Sequence, residues 1–274
     1  MTPATWRAPL RSLEGDECYE DSLVEEAPLS LWVNGQPFAV LMSTPRDALD
    51  LAAGFLWTEG LIEEREDLER LELCERASDT ARVTLAAGVP LPVPRHRAAL
   101  SSSCGLCSLS EGGGLLSSPR GRVWRAPERS AREISEALSA LNASTPLFHA
   151  TGGSHGALLC DPSGAPRFAR EDVGRHNAVD KALGAALRAG EGRGLSGEVE
   201  AWGLAGWTLV VTSRAGFEVA RKAAMAGVGT LISVGAATAL THRFCEAFGV
   251  SLVSFARPRR AHRHDRPEGA EGAR

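Results

Sequence analysis

No run of apolar residues in this chain approaches the ~18–20 positions that a membrane-spanning helix needs, which excludes a helical membrane protein. The opening residues, MTPATWRAPLRSLEGDE, have no apolar core of the signal-peptide kind, so the expected location is the cytoplasm. Six cysteines in 274 residues are too sparse for a disulfide scaffold, and in a reducing compartment any close pair among them needs a chemical explanation. Charge of one sign is also lacking: 30 basic against 34 acidic residues leave −4, and the field of the whole chain does not favour nucleic acid. Lysine is almost missing. Of the 30 basic residues only Lys181 and Lys222 are lysine, so the other 28 are arginine. Coding bias explains such an excess most simply, and against that background two surviving lysines are unusual.

What is present is ordinary for a folded chain, with 43% hydrophobic and 23% charged residues, which excludes global disorder. The length exceeds one typical domain of ~100–200 residues, so two domains or one large one are expected, and the core needs no staples. Leu29–Val33 and Phe38–Met42 read as strands joined by the hairpin signal Asn34-Gly35. Thr44 as N-cap, Pro45 at the first helical position and Asp47 near the positive end predict a helix start. Leu49, Ala52, Ala53 and Leu56 give that helix an apolar stripe, and Gly60 closes it. Arg82–Leu85 reads as a strand. From Gly88 to Pro127 the chain is rich in Pro, Ser and Gly, as a linker or mobile loop would be.

Beyond Leu147 short apolar runs flank the turn Asp161-Pro162-Ser163-Gly164, which predicts a second hairpin. Helical patterns at Asn177–Arg188, Phe217–Ala226 and Thr238–Phe248 then alternate with strands at Leu209–Thr212, Leu231–Val234 and Leu252–Phe255. Such alternation predicts an α/β fold with a partly parallel sheet covered by helices. The tail from Arg257 is polar and its last part reads as disordered.

Four blocks carry the chemistry. SSSCGLCSLS holds Cys104 and Cys107 in a C-x-x-C among small residues. Half of a zinc site is one reading, with His149 and His155 as the other pair; a thioredoxin-like redox pair is another; a thiol on a flexible arm carrying a transferable sulfur is the third. The other cysteines, Cys18, Cys74, Cys160 and Cys245, are scattered and read as structural thiols. FAREDVGRHNAVDKALG gathers Glu171, Asp172, Arg175 and His176 at a strand-to-helix junction, where backbone N–H groups favour an anion, although a capped helix with solvated charges accounts for the bare pattern equally well. VVTSRAGFEVARK places Ser213, Arg214 and Gly216 between a buried strand and a helix, where open α/β sheets bind ligands. FARPRR puts Phe255, Ala256, Arg257, Pro258, Arg259 and Arg260 after the last strand, suited to phosphates or a planar ring, or equally to a solvated basic tail. HATGGSHG adds Gly152 and Gly153, which permit close backbone approach.

Taken in this order, EEAPLSLWVNG, SSCGLC, TGGSHGALL, REDVGRHNAVDKALG, SRAGFEVARKAAMAGV and SFARPRR resemble the formate dehydrogenase accessory sulfurtransferases, the FdhD family. Both lysines fall inside matching blocks. The resemblance implies a cytoplasmic sulfur carrier that takes sulfane sulfur from a cysteine desulfurase. It implies delivery to a molybdenum bis(molybdopterin guanine dinucleotide) cofactor, handled as bound substrate with no tightly bound catalytic cofactor of the protein's own and no metal site. The client is the formate dehydrogenase catalytic subunit. Cys104 is implied as the persulfide carrier and Cys107 as its helper or replacement, with Phe255–Arg260 on the cofactor; Arg214 and His176, at neighbouring strand ends, are expected to join that site. The implied fold is a three-layer α/β/α, cytidine-deaminase-like C-terminal domain over residues 126–274. A smaller α+β domain over residues 1–125 ends in the cysteine loop, and a homodimer is usual. Ser108, Gly216 and the stretch Gly235–His242 depart from the family pattern, which puts loop geometry in doubt and leaves the class intact. Neither an H-x-E nor a P-C-x-x-C zinc signature accompanies the deaminase-like fold.

Overall fold

The computed structural model describes residues 4–13, 18–74, 77–90, 128–191 and 203–264. The chain begins with a two-stranded antiparallel ribbon, β1 (Thr5–Arg11) and β2 (Cys18–Val24). Next come β3 (Ala27–Val33), β4 (Gln36–Ser43), helix α1 (Ala48–Thr58), β5 (Leu68–Cys74) and β6 (Ala77–Leu85). The four strands form one sheet in the order β4-β3-β6-β5. Asn34 and Gly35 both take positive φ, 47° and 77°, as the hairpin signal requires. Leu29, Leu31, Val33, Phe38, Leu41, Ala81 and Val83 alternate onto one face and bury against Leu51, Phe55 and Leu56 of α1.

The expected helix start fails at Thr44. Helix α1 begins four residues later, with Asp47 as N-cap in the left-handed region at φ 53° and no side-chain cap. Thr44 is engaged elsewhere. Its N–H donates to the Asp172 carboxylate (3.1 Å), its hydroxyl accepts from Val173 N–H (3.0 Å), and its carbonyl accepts from Lys181 Nζ (3.0 Å). Three long-range bonds outweigh one local cap worth ~1 kcal/mol.

The second half contains α2 (Ala131–Ala143), α3 (Pro146–Thr151), β7 (His155–Cys160), β8 (Pro166–Asp172) and α4 (Arg175–Arg188). It continues with β9 (Thr208–Val211), α5 (Phe217–Met225), β10 (Thr230–Ser233), α6 (Ala239–Phe248), β11 (Ser251–Arg257) and β12 (Arg260–Arg263). Six strands form a mixed sheet in the order β12-β11-β10-β9-β7-β8. β9, β10 and β11 run parallel, while β7 is antiparallel to both its neighbours. Leu158, Val210, Ile232 and Val253 pack on Ile134 and Leu141 of α2. Their strand neighbours Leu159, Leu209, Val211, Leu231 and Leu252 join the core that holds α4, α5 and α6. Period-two alternation therefore puts one helix layer on each face.

That second core is continuous with the core beneath the four-stranded sheet. Helices α1 and α4 meet backbone to backbone at two glycines. A Cβ on Gly54 would lie 1.8 Å from the Asp180 carbonyl oxygen, and one on Gly184 would lie 1.9 Å from that of Asp50. Each end of the contact is closed by one of the two lysines. Lys181 pairs with Asp172 (2.5 Å) and donates to Thr44 just before α1. Lys222 pairs with Asp180 (2.9 Å) and Glu59 (3.1 Å) and donates to Thr58 Oγ1 (3.0 Å) at the end of α1. Among the described residues no helix is long and apolar enough to cross a membrane.

Candidate functional site

The parallel strands end on one edge of the six-stranded sheet, and the loops that follow them knit together there. Gly235 N–H donates to the Ser213 carbonyl (3.1 Å), Phe255 N–H to that of Gly235 (2.9 Å), and Ala215 bridges to Ala237. Antiparallel β7 starts on the same edge, so His155 stands beside Asp172, the last residue of β8. Thr212 exchanges bonds with Gly156, its N–H reaching the Gly156 carbonyl and its hydroxyl accepting from Gly156 N–H, both at 3.0 Å. The four segments Asp172–His176, Ser213–Gly216, Gly235–Ala237 and Phe255–Arg260 therefore share the carboxyl edge, the usual ligand position in open α/β sheets.

Two clefts adjoin on the α2 side of that edge. The larger, of about 650 Å³, is walled by Leu138, Leu141 and Asn142 of α2, Phe148 of α3, the turn from Gly152 to His155, and Thr212, Val234, Ala256, Arg257 and Pro258. The smaller, of about 480 Å³, is lined by Arg129, Ile134, Val253, Arg257, Pro258, Arg259, Arg260 and Arg263. Arg257 and Pro258 line both. Arg257 donates through Nη1 to the carbonyls of Val234 (2.6 Å) and Ala256 (2.9 Å), which fixes it at the mouth. Arg129 and Arg263 are neutralised by Glu133 and Glu128. Arg257, Arg259, Arg260 and Arg214 are exposed and pair with no carboxylate among the described residues. An apolar slot that continues into an arginine-lined slot suits a ligand with a ring at one end and phosphates at the other.

Not every residue singled out in the sequence reaches these clefts. Phe255 sits at a β-bulge with φ 49°, rare for an aromatic residue, and the turn delivers Ala256 to the α2 face instead. The Phe255 ring is half-exposed against His262 (5.5 Å) and lines neither cleft. Arg214 lies on the same edge outside both. His176 is buried in the first turn of α4. Burial, helped by the charge of Arg175, pushes its pKa down to about 3, so it is neutral at pH 7. In the unfolded chain the same imidazole titrates near 6.5, so between about pH 3 and 6.5 the unfolded state binds the extra proton. Stability from this group is complete above 6.5 and is lost as pH falls toward 3. Replacing His176 by Asn should therefore flatten urea-unfolding stability against pH across that window, whereas an unchanged slope would contradict the assignment.

The far wall of the larger cleft, on α2 and α3, lay beyond the periodicity reading. Two signals mark it: the capping box Ser130-Ala131-Arg132-Glu133, which forms with both reciprocal bonds, and Pro146 at the start of α3. His149 hydrogen-bonds through Nε2 to the Asn142 carbonyl (2.9 Å), while His155 lines the cleft with its pKa lowered by burial and by Arg175. Among the described residues no group of three or more His, Cys, Asp or Glu side chains is placed to hold a metal. Cys160 and Cys245 are buried, and burial raises their pKa to about 11 and about 12, which makes them inert thiols. Cys18 is exposed and Cys74 half-buried. Cys104 and Cys107 lie outside the described residues.

Fold and edge together define a class: a mixed α/β protein whose strand-end loops meet on one sheet edge beside two adjoining clefts. The family is equally plain. A model of the FdhD/NarQ family matches residues 24–269, and the chain belongs to that family. It is 39% identical over 251 residues to the sulfur carrier protein FdhD of Anaeromyxobacter sp. (strain K), with 88% of this chain and 85% of the relative covered. Against the protein of that name from Streptomyces avermitilis it is 37% identical over 248 residues, covering 86% and 84%. Its fold is that of a solved structure described as a candidate formate dehydrogenase accessory protein from Desulfotalea psychrophila, with TM-score 0.72 at 22% identity over 96% of this chain and 97% of that one.

Proposed function

We propose that this protein is a cytoplasmic sulfur carrier for formate dehydrogenase maturation. The Cys104 thiolate attacks the terminal sulfur of a cysteine desulfurase persulfide, the donor's S–S bond breaks, and the donor cysteine leaves as thiolate without net redox change. The Cys104 S–S bond then breaks in turn and Cys104 returns as thiolate. The sulfur passes to the reduced molybdenum bis(molybdopterin guanine dinucleotide) cofactor, which supplies the two electrons that make it sulfide, before that cofactor enters the enzyme. The observation that carries the reading is the pair of adjoining clefts with Arg257 at their junction, in a chain of this family. The apolar cleft suits a guanine or pterin plane, and Arg257, Arg259 and Arg260 suit its phosphates. In this reading the antiparallel β7–β8 pair beside parallel β9, β10 and β11 is the deaminase-like core of a cofactor-binding domain over residues 126–274. Residues 1–125 carry the cysteine loop at their end, and the working unit is a homodimer.

A guanine nucleotide serves as a fragment of the cofactor. GDP binding, measured by titration calorimetry, should weaken about tenfold with Arg257→Ala and again with Arg260→Ala, as for the loss of a charge-assisted bond. Raising the salt concentration should weaken it as well. Affinity indifferent to both arginines would remove the clefts from the reading. A delivery chaperone without sulfur chemistry is the competing function, and Cys104 decides between the two.

A further inference from the structure

Glu171 belongs to the REDVGRHNAVDKALG block, yet its carboxylate bonds to none of the exposed arginines at the clefts. Oε2 accepts from Leu147 N–H (2.8 Å), and Oε1 accepts from Phe148 N–H (2.8 Å) and from Ser154 Oγ (2.8 Å). These donors stand at the two ends of segment 146–154, which comprises α3 and the Gly152–Gly153 turn. Phe148, Gly152, Gly153 and Ser154 of that segment form one wall of the larger cleft. From outside, Val24 of β2 presses on the same wall, since a Cβ on Gly153 would lie 2.6 Å from Val24 Cγ1. A six-residue helix cannot hold itself in water, so the wall's position depends on what grips it.

We propose that Glu171 is a positioning residue of the ligand cleft: it grips both ends of segment 146–154 and thereby sets the cleft's affinity for a guanine nucleotide. This rests on the reading that the cleft takes the nucleotide end of the cofactor. Glu171 is 9% exposed and its two carboxylate oxygens are occupied by the protein's own donors, so it acts through the wall and leaves the ligand to other groups. With the grip lost, binding must order the wall at the moment of contact, and that cost appears as lost affinity.

The test compares full-length wild type, Glu171→Gln and Ser154→Ala for GDP affinity, melting temperature and local hydrogen exchange. The amide of Glu171→Gln turns a donor toward donors, whereas Ser154→Ala removes a single bond. GDP binding should weaken roughly tenfold or more with Glu171→Gln and only a few-fold with Ser154→Ala. Exchange should quicken at amides 147, 148 and 152–154 and stay unchanged elsewhere, and saturating GDP should restore the lost protection. Wild-type affinity in Glu171→Gln overturns the proposal, as does faster exchange spread evenly over the chain, which marks a global stability role. If wild type itself binds no GDP, the cofactor reading fails instead. The exchange arm then decides alone, with local quickening supporting the grip and none refuting it.

Discussion

Lys222→Met is expected to cost about 3–5 kcal/mol of folding stability, the range for breaking a buried ion pair by removing one partner. Lys222 is 4% exposed, and its ammonium is bound on three sides, by Asp180, Glu59 and Thr58. Burial alone would lower its pKa, but the Asp180 and Glu59 carboxylates outweigh burial and raise it, so the charge is present at any working pH. Removing it leaves the Asp180 carboxylate buried without a counter-charge, held only by the Thr58 hydroxyl (2.7 Å), while Glu59 keeps Arg221 (2.8 Å). Methionine fills much the same volume, so the loss reports charge and not a cavity. Lys222→Arg should fail to rescue, because a planar fork cannot meet three acceptors arranged around a point. Adding Asp180→Leu to Lys222→Met should recover part of the loss, since neutralising both sides of a buried pair is far cheaper than neutralising one. Urea unfolding of the three variants measures this, and a loss below about 1 kcal/mol for Lys222→Met would contradict it.

The role of that lysine was only half legible in the sequence. Two lysines among 28 arginines marked the positions, but the partners of Lys222 lie 42 to 164 residues away along the chain and no periodicity connects them. The elements with the clearest local code were readable. Asn34-Gly35 makes its turn with two positive φ angles, and the buried runs Thr208–Val211 and Thr230–Ser233 form central parallel strands. Thr44 was misleading because Asp172, Val173 and Lys181 compete for it, and propensity is a weak prior against three tertiary bonds. β12 is four exposed residues with no apolar alternation to announce it. The site shows the same division. Strand ends are readable from the alternation of strand and helix, so their common edge could be anticipated. Which side each residue faces depends on the bulge at Phe255, and a third of the larger cleft's lining comes from α2 and α3, which periodicity alone did not reveal.

Mass spectrometry after incubation with a cysteine desulfurase and cysteine should find one added sulfur, about 32 Da, on Cys104. Cys104→Ala should abolish formate dehydrogenase activation, and Cys107→Ala should reduce it less. A thiol must be accessible and deprotonated to attack a donor persulfide. Cys160 and Cys245 meet neither condition, being buried with pKa values of about 11 and about 12. Only Cys104 and Cys107 form a close pair in the sequence, set among serine and glycine in SSSCGLC. A persulfide is a weaker base than its parent thiol, so the loaded group is anionic at neutral pH and attacks without a dedicated base. Sulfur on Cys160 or Cys245 at equal level would sink the site assignment, and full activation by Cys104→Ala would favour the delivery chaperone. Metal binding is separable from both outcomes. Replacing Cys104 and Cys107 together by Ser should change stability by no more than about 0.5 kcal/mol, the range for substitutions that touch no cap or core. Unfolding by that replacement, or by a chelator, would show the cysteines holding zinc, because a structural zinc site contributes directly to folding.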